Sequence, residues 1–225
     1  MTRTPLTLRT LPNYTRGEEI FHMVSHIVGA SFGIMALGLM VIVSVLRHDI
    51  WAVVSSCIYG SALVILYTMS SLYHGLRPPM AKKVLQILDH CTIYYLIAGS
   101  YTPILLCAMR ESHPGWAWAI FGCVWALAAV AITLNAIDLK TFSRFSMICY
   151  IAMGWCIILA AKPAIDVLSR EGLILLLSGG IAYTLGAGLY AIGKKYRYMH
   201  GVFHLFVLLG SVLQFAAIYL DCILR

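Results

Sequence analysis

The sequence predicts an all-α fold, a bundle of seven membrane-spanning helices, and three observations lead there. Of the 225 residues, 61% are hydrophobic and 11% charged, whereas a soluble globular domain carries roughly 25% charged and 45–50% apolar residues. The apolar residues gather into seven long runs, each close to the about 20 residues that cross about 30 Å of hydrocarbon. The breaks between the runs carry charges or turn residues. This composition excludes an ordinary soluble domain, a disordered chain and a disulfide-stapled secreted module.

The elements follow in order. A polar tail over 1–19 holds Arg3, Arg9, Arg16, Pro5 and Pro12 and lacks the apolar core of a cleavable signal peptide. The first span covers roughly 20–46 and stops at Arg47-His48-Asp49; the second covers 51–74 and stops before Arg77-Pro78-Pro79. The third, 85–109, contains Pro103, which is expected to kink it, and His113-Pro114-Gly115 separates it from the fourth, 116–137. A polar stretch from Asp138 to Arg144 precedes the fifth, 145–163; Lys162 to Glu171 precede the sixth, 172–193; Lys194 to Met199 precede the seventh, 200–222. The connections are short, so the expected organisation is the tail plus one seven-helix domain over 20–225. Seven Cys residues lie in or at the ends of the runs without a C-x-x-C pair, which reads as buried free thiols rather than a disulfide framework.

Orientation follows from the distribution of Lys and Arg. The tail and the second, fourth and sixth loops hold 11, and the opposite side holds 5. By the positive-inside rule the N-terminus is expected in the cytoplasm and the C-terminus outside. The net charge of +7 therefore reads as a topology signal and not as a nucleic-acid footprint.

Six of the eight His residues (His22, His26, His74, His90, His200 and His204) fall at span ends on that inner side, with Asp89 at the same depth. His200 and His204 form H-x-x-x-H, and Ser70 and His74 form S-x-x-x-H. Residues i and i+4 share one helix face, about one turn apart. Two such imidazoles hold one metal ion in H-E-x-x-H helices; His74 from another helix would supply a third. Catalytic zinc sites keep three protein ligands and leave the fourth position to water. Asp89 would then act as general base toward that water, whose pKa falls from about 15.7 to about 7 on zinc, and Ser70 would bind the water or a substrate carbonyl. The plain alternative is that each His is a solvated or hydrogen-bonded interfacial residue and that Asp89 pairs with Lys82 or Lys83. The common depth of residues so far apart in sequence argues against it.

These residues also carry a resemblance. Ser70-Ser71-Leu72-Tyr73-His74, Leu88-Asp89-His90 followed by Ala98-Gly99-Ser100-Tyr101-Thr102-Pro103, and His200-Gly201-Val202-Phe203-His204-Leu205-Phe206 make the chain similar to the hemolysin III family, the bacterial branch of the progestin and adipoQ receptor family. The resemblance runs from Glu18 to near the end of the chain. It implies seven spans, a cytoplasmic N-terminus and a Zn²⁺ ion near the cytoplasmic face, held by His74, His200 and His204 with Asp89 and Ser70 nearby. In the adiponectin-receptor branch it implies ceramidase-like amide hydrolysis. Two positions depart from the pattern. Glu19 and His26 fit, but His22 stands where the family often has Asn, and Gln214 stands where many relatives have His. His22, with His26 and Glu19, is thus an added ligand or an outer partner of the metal.

Three functions follow as expectations: a zinc-dependent intramembrane hydrolase of a lipid amide or ester, a non-enzymatic membrane sensor or receptor-like regulator with structural zinc, and a cytolytic membrane protein. A membrane lipid is the expected substrate or ligand, and a bacterial plasma membrane the expected location.

Overall fold

In a computed structural model of the chain, residues 4–192 and 196–224 are described, and all regular structure among them is helical. Seven spans are long and apolar enough to cross a membrane. Arg3, Lys194, Lys195 and Arg225, part of the charge balance above, lie outside the described residues.

The local sequence explains where the helices start. Helix α1 (Arg16–Leu46) begins ahead of the apolar run because Thr15 and Glu18 form a capping box. The Glu18 amide donates to Thr15 Oγ1 at 3.3 Å, and the Thr15 amide donates to Glu18 Oε2 at 2.9 Å, so two otherwise orphaned amides are satisfied. Asp49 caps α2 (Ile50–Gly75) by accepting from the amides of Trp51 and Ala52. Helices α3 (Pro79–Pro103) and α4 (Pro114–Asp138) each start with proline, where no intrahelical amide bond is lost. Helix α7 (Arg170–Ile192) starts at Ser169, whose Oγ accepts from the Gly172 amide, and α8 (Met199–Ile218) follows Tyr198, in the left-handed region at φ 61°.

Two spans depart from regular α-helix. Pro103 does not break the third span; the chain continues from it as a π-helix over Ile104–Met109, one of the ways a helix accommodates a residue without an amide hydrogen. The fifth span is interrupted: α5 (Ser143–Gly154) passes into a 3-10 segment, Cys156–Ala160, and then α6 (Ala161–Val167). Inside a membrane such a break needs partners for the freed backbone groups. Tyr101 supplies them, its hydroxyl donating to the Gly154 carbonyl at 2.9 Å and accepting from the Ile157 amide at 3.0 Å.

Without a hydrophobic drive between helices in lipid, close packing relies on small residues. Gly33 lets α1 approach α2 until a Cβ there would lie 3.1 Å from the Val64 amide nitrogen. Lipid-facing positions stay apolar, as Ile27, Ile34 and Ile42 on α1 show. Tyr59, Leu63, Tyr67, Tyr94 and Leu105 fill the centre of the bundle. The chain is a multi-pass integral membrane protein.

Candidate metal centre

The N-terminal residues of α1 and α8 and the C-terminal turn of α2 meet at one end of the bundle, called here the tail end. Glu18 joins two of them: while capping α1 it also accepts from the Tyr198 amide at 2.9 Å, fixing the start of α8 against the start of α1. Gly201 completes the approach, because a Cβ there would overlap the Phe21 ring and lie 3.1 Å from His22 Cδ2.

This packing brings His22 from α1, His74 from α2, and His200 and His204 from α8 to one place. One ring nitrogen from each of His22, His74 and His200 lies within 4.8 Å of the others. His204 Nε2 is 3.1 Å from His200 Nε2. All four are buried, with exposures of 0% for His22, 3% for His74, 9% for His200 and 2% for His204.

Two of the rings are oriented from behind. His74 Nδ1 donates to Glu19 Oε2 at 2.7 Å, and Lys82 Nζ donates to Glu19 Oε1 at 2.6 Å. His204 Nδ1 faces Ser25 Oγ at 3.2 Å and the His22 carbonyl at 3.3 Å. Each leaves its Nε2 toward the cluster; His74 does so in the carboxylate–histidine arrangement that fixes the tautomer of a metal ligand, and His204 with a hydroxyl and a carbonyl behind it. Yet His74 Nε2, both nitrogens of His22 and both of His26 are buried with no hydrogen-bond partner among the described residues. An unsatisfied buried polar group costs about 1–3 kcal/mol, so the nitrogens of His22 and His74 that meet on one spot imply something that fills them. A divalent ion fits: imidazole nitrogens suit Zn, Cu, Fe and Ni, and Lys82, beside the site, is paired with Glu19.

The remaining predicted residues take distinct places. His26, one turn deeper on α1, does not converge with the others but stacks on His204 at 3.7 Å between ring centres. Ser70, His26, Asp89, His200 and His204 line a cavity of about 1180 Å³ that runs from the tail end into the membrane. Asp89 shows its accessible part to this cavity and lies 3.8 Å from His90 Nδ1, with the Ser70 hydroxyl as a neighbour. It pairs with neither Lys82 nor Lys83, whose ammonium groups go to Glu19 and the Thr7 carbonyl. His90 Nδ1 donates to the Gln86 carbonyl, a local helix bond. Gln214 lines the cavity and donates to the Leu176 carbonyl.

Sequence reasoning missed Tyr14. Its ring stacks on His200 at 5.2 Å and meets the edge of His22 at 4.9 Å. Burial first, then Tyr190, Glu19 and Asp89, holds its phenol well above the ordinary value, so it stays a hydrogen-bond donor beside the cluster. The Thr15-x-x-Glu18 signature was the available signal, because it starts α1 at Arg16 and sets Tyr14 against the first turn. The tail before it is strapped down: the Thr4 amide donates to Asp138, and Arg9 Nη2 donates to the Ile137 carbonyl at 2.7 Å.

The chain is similar to known proteins over most of its length. The chain is 39% identical over 198 residues to "Hemolysin-3" of Bacillus cereus, covering 88% of this chain and 89% of the relative. It is 36% identical over 210 residues to the "Hemolysin-3 homolog" of Bacillus subtilis (strain 168), covering 93% and 97%. "Monocyte to macrophage differentiation factor" of Homo sapiens is 28% identical over 189 residues, covering 77% and 73%. No solved structure matches the chain. The family model described as "Haemolysin-III related" matches residues 14–215, a stretch that holds every histidine of the cluster, and the chain belongs to that family.

Proposed function

We propose that this protein is a zinc-dependent hydrolase of a lipid amide or ester, working at the cytoplasmic face of a bacterial plasma membrane. The observation that carries the reading is the set of buried, partnerless nitrogens of His22 and His74 packed against His200 and His204, which line a deep cavity with Asp89 and Ser70 on its wall. The excess of Lys and Arg at the tail end supports the cytoplasmic assignment.

In this reading His74, His200 and His204 hold the ion, with Glu19 fixing His74 and Ser25 fixing His204. Bound zinc supplies Lewis acidity and a water pKa lowered to about 7. Asp89 takes the proton released as the carbonyl is attacked and returns it to the leaving amine or alcohol. Ser70 orients the carbonyl from one turn before His74. The acyl chain lies along Leu66, Ile93, Leu96, Ile97 and Val207, which line the apolar part of the cavity. Arg9, Lys140, Arg144 and Arg197 line its tail end, where they suit an anionic headgroup.

The test is turnover of N-acyl amide and ester lipids by zinc-loaded protein in detergent or liposomes. Activity that disappears in Asp89→Asn while zinc is retained supports the hydrolase; no turnover of any lipid in either form rejects it. A second reading, a structural ion in a membrane-state regulator, is favoured by the way the cluster ties α1, α2 and α8 together. Under it, Asp89→Asn leaves function and metal alike unchanged.

A further inference from the structure

We infer that His22 is a fourth protein ligand, so that the resting ion is closed by four imidazoles with no position left for water. This rests on the metal site read above but not on its being catalytic.

The argument is geometric. The distances between ring centres are 4.6 Å for His22–His74, 4.8 Å for His22–His200 and 5.2 Å for His22–His204. Those for His74–His200, His74–His204 and His200–His204 are 5.4, 5.2 and 4.7 Å. Six nearly equal edges describe a tetrahedron, whose centre lies about 3.1 Å from each ring centre. An imidazole bound through nitrogen at about 2.0–2.1 Å puts its ring centre about 3.2 Å from the ion. Four ring centres are therefore spaced as four ligands around one point would be; the nitrogens of His22, His74 and His200 already lie within 4.8 Å of one another, and His204, whose Nε2 touches that of His200, completes the set by a turn of its ring. The separation of 3.1 Å between His200 Nε2 and His204 Nε2 is close to the about 3.4 Å between neighbouring nitrogens of a tetrahedral site at those bond lengths.

Among the four rings of the cluster, His22 is also the one for which the described residues offer neither nitrogen a hydrogen-bond partner. His74 and His204 each use one nitrogen on Glu19 or Ser25, whereas His22 uses neither and is fully buried. His26 has the same lack of partners but stacks parallel to His204 at 15°, a geometry that cannot converge on the same centre. A closed set of four protein ligands is the mark of structural zinc, and an open position that of catalytic zinc. Any chemistry here thus requires His22 to yield its place or the ion to expand to five ligands, which makes His22 the residue that governs access of water and substrate.

The test uses the full-length protein loaded with Co²⁺ or Zn²⁺. X-ray absorption on zinc-loaded wild type should count four imidazoles, and on His22→Asn three plus one oxygen, with one ion bound in both. Azide should leave the visible Co²⁺ spectrum of wild type unchanged and shift that of His22→Asn. Imidazole added to His22→Ala should restore the wild-type spectrum. Three imidazoles plus an oxygen in wild type, together with an azide-induced shift, would overturn the inference, and that measurement needs no variant to fold. If His22→Asn gains lipid turnover severalfold, both this inference and the hydrolase reading stand. If the ligand counts are as expected but neither form turns over any lipid, only the hydrolase reading fails.

Discussion

At the end of the bundle opposite the tail, Asp221 is 3% exposed, and its Oδ2 accepts from the Ser169 amide at 2.9 Å and from Ser169 Oγ at 3.0 Å. At the tail end, His22 is 0% exposed and neither ring nitrogen meets a partner. Both are buried polar side chains in a membrane bundle, both costly to place there. The carboxylate at the far end completes the cap of α7 and tethers it to the end of the last span, which makes it architecture. At the tail end Glu19 holds His74 from behind, while its inward Nε2, like both nitrogens of His22, meets no partner among the described residues. Satisfaction, rather than burial, separates a polar group that builds the fold from one that awaits a ligand.

Variants at the two ends sharpen this contrast. The largest effect is expected from His74→Ala, which removes a nitrogen from the cluster. Bound metal, read by elemental analysis after dialysis, should fall by more than the 10–100-fold in affinity that an outer partner is worth. Retention of full metal would place the ion elsewhere. Glu19→Gln comes next: it keeps the shape but weakens the acceptor for His74 Nδ1 and for Lys82, and should cost about 10–100-fold in metal affinity, measured by competition with a chelator. An unchanged affinity would mean that the Glu19–His74 bond serves only to join α1 to α2. Asp221→Ala should be the smallest in functional terms. It strands the Ser169 amide and should lower unfolding stability by about 1–3 kcal/mol with metal content intact. If it released the metal as well, the two ends would not be separable.

Much of this was legible from the residues alone. The H-x-x-x-H of His200 and His204 and the S-x-x-x-H of Ser70 and His74 put four groups at one end of the bundle, where Ser70, His200 and His204 line the cavity and His74 packs against the two α8 imidazoles. The partners of Lys82 were not legible. Its nearness in sequence to Asp89 suggests a pair, but the side chain turns to Glu19, on α1, because α1 packs against α2 there. Tyr14 was overlooked for a related reason: it lies in the tail, and only the folded strap from Thr4 to Arg9 brings it onto His200.

By itself the sequence determined the number of spans, their approximate limits and the span end at which each histidine lies, because membrane thickness fixes the length of each apolar run and so where it stops. The tertiary structure alone decided which way each ring points. The rotation of a helix about its axis depends on neighbours, and contacts such as Gly201 against Phe21 turn His22 into the cluster and leave His26, on the same helix, stacked beneath it.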